Sequence, residues 1–92
     1  MLQVQLSPTQ GTRGQAVHAQ ARSDAVEVSQ VQLVVDAMGT SLNWSLRREG
    51  DVWVADARVP YDAPPGTYRL SFRAYNGAGQ LVESANRSFT VL

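Results

Sequence analysis

Apolar and polar residues alternate along most of the chain, the period-two pattern of strands that bury one face. Leu2, Val4 and Leu6 alternate with Gln3 and Gln5, and the stretch from Ser7-Pro8 to Gly14 is rich in turn formers. Val17, Ala19 and Ala21 alternate with His18, Gln20 and Arg22, and Ser23-Asp24 close that run. Val31, Leu33 and Val35 make a third buried face, ended by Met38-Gly39; Leu42, Trp44 and Leu46 make a fourth. Arg48-Glu49-Gly50-Asp51 reads as a hairpin turn, because glycine accepts positive φ without strain. Trp53, Ala55, Ala57 and Val59 share the next face. After Pro60 to Gly66, the cleanest alternation sets Tyr68, Leu70, Phe72 and Ala74 inward and Arg69, Ser71 and Arg73 outward. Phe89 and Val91 belong to a seventh and last strand.

Helical periodicity is poor throughout. Asp24 to Val35 is the one candidate, and its valines and the spacing Val31, Leu33, Val35 favour a strand. The phase slips between Val28 and Val31, which predicts a bulge or a loop-to-strand entry there. Several short strands without helical periodicity predict an all-β sandwich or small barrel, and their one-sided apolar faces must be buried against each other. Residues 1–92 are expected to form a single domain of seven strands.

Composition narrows the function. Ninety-two residues suffice for one domain, and eight basic against eight acidic side chains leave a net charge of zero. A nucleic-acid binder needs a cationic surplus to displace counterions, so none is expected. No cysteine and a single histidine exclude zinc, iron–sulfur and disulfide frameworks. No apolar run approaches the roughly 20 residues of a membrane-spanning helix, and MLQVQLSPTQ does not read as a signal peptide. No cofactor is expected.

Each chemically capable residue has a simpler reading beside it. His18 with a serine and an aspartate would make a hydrolytic base, yet it lies on the polar face of a strand with no Gly-x-Ser-x-Gly nearby. Glu49 and Asp51 flank Gly50 as a glycosidase pair would, but carboxylates at hairpin tips are ordinarily solvated. Asp24, Glu27, Asp36 and Asp62 are loop oxygens of the kind calcium takes, without the EF-hand spacing. Trp44 and Trp53 would stack on sugars if exposed, but they share their faces with Leu42, Leu46, Ala55 and Ala57, which predicts core packing. Asn43-Trp44-Ser45 and Asn86-Arg87-Ser88 match the glycosylation triplet at a length that arises by chance. All eight basic residues are arginine. Arg69 and Arg73, on one polar strand face, form a candidate partner face for carboxylates of a protein or glycan. The chain reads as non-enzymatic.

The run Ala63-Pro-Pro-Gly-Thr-Tyr-Arg-Leu-Ser-Phe-Arg-Ala-Tyr-Asn-Gly-Ala-Gly79, followed by Phe89-Thr90-Val91, resembles bacterial immunoglobulin-like domains and is similar to fibronectin type III-like modules. Val28-x-x-Val31-x-Leu33-x-Val35-Asp36 and Asp51-Val-Trp-Val-Ala-Asp-Ala-Arg-Val-Pro60 fit the same templates, so the likeness covers about residues 26–91. The resemblance implies a seven-stranded antiparallel Greek-key sandwich. It also implies a structural corner at Gly66 and Tyr68, the tyrosine hydroxyl bonding back to upstream backbone. Leu70 stands where antibody domains carry a cysteine, and Asn76 stands where some relatives carry an aspartate associated with calcium. The implied role is a spacer, adhesion or docking module of an exported bacterial protein, located extracellularly, at the cell surface or in the periplasm. Its expected partners are neighbouring domains of the same chain, and another protein or a glycan, with the excised unit a monomer. A carbohydrate- or ligand-binding accessory module of a secreted enzyme, or a small free-standing periplasmic binding protein, is the alternative. An odd strand count would send the two chain ends out at opposite poles, as suits a bead cut from a longer string.

Overall fold

In the computed structural model, residues 2–24, 27–37 and 40–92 are described, with the side chains of 36, 37 and 40–42 outside that set. The Met38-Gly39 turn, the inward placing of Leu42 and the side chain of Asp36 therefore lie outside the described residues. The elements are β1 (Gln3–Ser7), β2 (Gln10–Gly11), β3 (Ala16–Arg22), β4 (Val28–Ala37), β5 (Thr40–Glu49), β6 (Val52–Arg58), β7 (Gly66–Asn76) and β8 (Leu81–Val91). The protein is all-β.

Among the described residues eight strands replace the expected seven, and one continuous mixed sheet curled into a half-barrel replaces two separate antiparallel ones. The order is β1-β3-β6-β5-β4-β7-β8-β2. Two local events cause the difference. First, β5 runs beside β4 from Ala37–Thr40 to Val31–Leu46, then passes to β6, pairing Arg47 with Val54 and Glu49 with Val52. That handover joins what would otherwise be two sheets. Second, the chain bends after β1 at a cis Ser7–Pro8 peptide and adds Gln10–Gly11 to β8 as a parallel pair. Leu92 N donates to Gly11 O at 2.9 Å and Thr90 N to Thr9 O at 3.1 Å. Two residues are too few for any periodicity to register.

The two ends of the ladder are thus one segment, Gln3 to Gly11, which belongs to both arms. Arg87 spans the same gap, Nη2 donating to Val4 O at 3.4 Å. From β1 to β8 the ladder takes six antiparallel steps, so both strands run the same way, Leu2 leading into the first and Leu92 following the last.

The core lies inside the curl. Phe72, Val31, Ala19, Ala21 and Ala74 are fully enclosed, and Leu33, Leu70, Trp53, Phe89 and Val91 are buried around them. Alanines on β3 and β6 leave the room that the large side chains of β4 and β7 fill, the size complementarity that close packing requires. Of the bulge or loop-to-strand entry expected between Val28 and Val31, the structure has an irregularity of register between Val28 and Gln30. Gly50 sits at φ 64° in the β5–β6 hairpin, and Arg48 Nε donates to its carbonyl at 3.1 Å.

Candidate functional site

Where β5 leaves β6, the half-barrel forks. The first half of β5 stays with β4, and β6 stays with β3 as far as Arg58. Between the diverging halves lies a partly open apolar cleft of about 80 Å³. Leu33, Val35 and Trp44 line one side, Ala57 and Val59 the other, with Tyr68 beside them. Its lining is mainly apolar, which suits it to apolar groups.

The corner named from sequence sits next to this cleft. Tyr68 is half-buried among core residues, and its hydroxyl donates to the carbonyl of Pro64. Gly66 opens β7 at φ 147°, a conformation that side-chain-bearing residues rarely adopt, and a Cβ there would meet no neighbour within 4 Å. Gly66 is the first residue of β7 and lies opposite Val91.

Arg69 and Arg73 point outward from β7, and both are exposed. The register sets Arg73 between Gln32 and Ser84, and Arg69 beside Ser88. Ser71 between them donates its hydroxyl to Asn86 Oδ1 at 3.0 Å. Neither arginine pairs with a carboxylate among the described residues. The outer face of β7 and β8 therefore presents hydroxyl, amide and guanidinium groups, chemically able to hold carboxylates or sugar hydroxyls.

On the opposite arm, register brings Ser7, His18 and Asp56 into one row across β1, β3 and β6. His18 Nδ1 donates to Asp56 Oδ1 at 2.9 Å, and that bond holds the Asp56 carboxyl below its usual range. The row falls short of a hydrolytic triad. Among the described residues no hydrogen bond joins Ser7 to His18, and both members of the pair are well exposed, 47% and 66%. A nucleophile needs a base in hydrogen-bond contact and donors for the oxyanion, and an open sheet face supplies neither.

The other candidates are placed by their partners. Glu49 pairs with Arg47 at 3.3 Å and Asp51 with Arg22 at 3.0 Å, so the two carboxylates of the hairpin are tied to different arginines. Trp53 is buried, with Arg48 5.8 Å over its ring, and Trp44 is half-buried on the cleft wall. Asn76 organises the β7–β8 turn: its Oδ1 accepts from Ala78 N and Gln80 N, both at 3.0 Å. Among the described residues no three His, Cys, Asp or Glu side chains gather as a metal site. No helix among them is long and apolar enough to cross a membrane.

Sequence reasoning missed the cleft and the His18–Asp56 pair. The pair had no signal along the chain, since its members are 38 residues apart. The cleft depends on where β5 changes partner, which alternation cannot encode.

No family model matches the chain, and no curated protein does. Its fold is similar to that of an engineered protein whose crystal structure was determined at 1.98 Å, with a TM-score of 0.66 at 19% sequence identity. The match takes in 100% of this chain and 20% of that one, so this chain spans about a fifth of the engineered protein's length.

Proposed function

We propose that the chain is a non-catalytic immunoglobulin-like or fibronectin type III-like module of an exported or cell-surface bacterial protein, serving as a spacer, adhesion or docking unit. Within the continuous ladder, β1-β3-β6 and β4-β7-β8 supply the two opposed inner faces such a sandwich needs, and Tyr68 bonding back to Pro64 matches its tyrosine corner. The observation that supports the spacer role is the common direction of β1 and β8, so that the chain enters before β1 and leaves after β8 along one strand direction. A module with this layout adds its own length to a string, whereas one with adjacent termini hangs from it as a side branch.

Two copies joined end to end test this by small-angle scattering. The expected maximum dimension is about twice that of the single unit, and a compact folded-back pair overturns the spacer reading. The alternative of a glycan-binding accessory module draws on the donor field around Arg69 and Arg73. Binding on a glycan array that is lost in Arg69→Ala and Arg73→Ala would favour it.

A further inference from the structure

The hydrogen bonds that end β6 define an unused edge beside the cleft. Val59 N donates to Gln15 O at 3.0 Å, and Val59 O accepts from Gly14 N at 2.8 Å, so both backbone groups of Val59 face β3. Successive residues of a strand turn these groups to opposite sides. Those of Ala57 and Ala55 therefore also face β3, and those of Asp56 and Arg58 face away. On that far side β5 is in register with β6 only over Val52 to Val54. Asp56 and Arg58 thus present two N–H and two C=O groups with no strand partner among the described residues, at the mouth of an apolar cleft.

The side chains specify what fits there. An antiparallel strand would set one residue against Arg58, the next against Ala57 and the third against Asp56. Charge complementarity asks for acidic, small, basic in that order. The sequence of β6 is itself Asp56-Ala57-Arg58. We propose that β6 pairs antiparallel with β6 of a second copy about a twofold axis at Ala57, Asp56 of each chain facing Arg58 of the other. A slip of two residues either way would set Arg58 against Arg58 or Asp56 against Asp56, and a slip of one would bring groups that face β3 to the interface. The charged groups have capacity to spare. His18 occupies Asp56 Oδ1 and leaves Oδ2, and Gly14 O occupies Arg58 Nη1 and leaves Nε and Nη2. On the inner side, Ala57 meets Ala57 and Ala55 meets Val59, which caps the cleft mouth. The β1-β3-β6 arm becomes one sheet across both copies while both poles stay free, so the dimer does not depend on the spacer role. It departs from the monomer expected from sequence.

Residues 55–59 on each side bury less than the ~1,200 Å² of stable complexes, so the association is weak. Sedimentation and amide hydrogen exchange at protein concentrations up to about 1 mM read it. The expected result is a concentration-dependent dimer in which the Asp56 and Arg58 amides become protected while protection of Ala57 stays constant. Asp56→Arg and Arg58→Asp each abolish self-association, and the double variant restores it. Mixing the two single variants yields a heterodimer, because the two arginines of one chain then face the two aspartates of the other. A monomer at every concentration, or a dimer indifferent to these reversals, overturns the proposal.

Discussion

Removing the Tyr68 hydroxyl tests the corner with the least disturbance to packing. Tyr68→Phe keeps the ring against the core and deletes only the bond to the Pro64 carbonyl. A hydrogen bond of this kind contributes about 0.5–1.5 kcal/mol net. The Pro64 carbonyl would be left with one partner fewer in a half-buried place, which raises the cost toward the upper end of that range. Tyr68→Ala additionally empties the ring's volume. Full burial would put that loss at about 3–5 kcal/mol, and the half-buried position reduces it to roughly 2–3. Urea unfolding followed by tryptophan fluorescence suits the measurement, since Trp53 is buried and becomes exposed on unfolding. For a chain of this size each kcal/mol lowers Tm by about 4–8 °C, so Tyr68→Phe is expected to melt several degrees early. An unchanged m-value is needed to assign the loss to the native state. A Tyr68→Phe variant with the same denaturation midpoint and m-value as the parent would refute the corner as a stabilising contact.

Four further outcomes follow from the same structure. Gly66→Ala is expected to cost about 1–3 kcal/mol by backbone strain alone, since a Cβ meets no neighbour within 4 Å; equal stability in chemical denaturation contradicts the assigned φ. Phe72→Ala should lose about 3–5 kcal/mol, whereas Arg73→Ala beside it should stay within about 0.5, and similar losses at both would show that β7 is not one-sided. The hydrogen bond from His18 lowers the Asp56 pKa, so its contribution is present above the unfolded value near 3.8 and lost as pH falls through the lower folded value. Asp56→Asn should therefore flatten the acid limb of the stability profile below about pH 4, and an identical acid limb in the variant removes that linkage. Thermal midpoints in calcium and in chelator should coincide, because a ligand at 100 times its Kd would add about 2.7 kcal/mol and be plain in a melt.

How much of this was legible along the chain depends on the range of the interaction. Alternation identified Val17–Ala21, Trp53–Val59 and Tyr68–Ala74 as strands with the inner faces they have, because burying one side of a pleated strand forces period two on the sequence. The hairpin at Gly50 and the irregularity after Val28 were equally local. The first half of β8 was missed for the converse reason: Glu83, Ser84, Asn86 and Arg87 lie on or near an exposed face and carry little apolar contrast. Residue pairs such as His18 with Asp56, or Arg22 with Asp51, left no trace, since surface polar contacts place almost no demand on residue spacing.

The amino-acid sequence by itself determined that the fold is all-β, the inner faces of β1, β3 and β7 and the hairpin at Gly50, because these follow from local backbone preference and the burial of apolar area. Tertiary structure alone decided which strands become neighbours. The passage of β5 from β4 to β6 at Arg47 and the crossing of Gln3–Gly11 from one arm to the other convert two expected sheets into one. Backbone hydrogen bonds carry both events, and every residue except proline offers the same donor and acceptor, so the choice of partner is not written in side-chain pattern. That choice also left Asp56 and Arg58 without a strand partner on the β5 side among the described residues, beside the cleft.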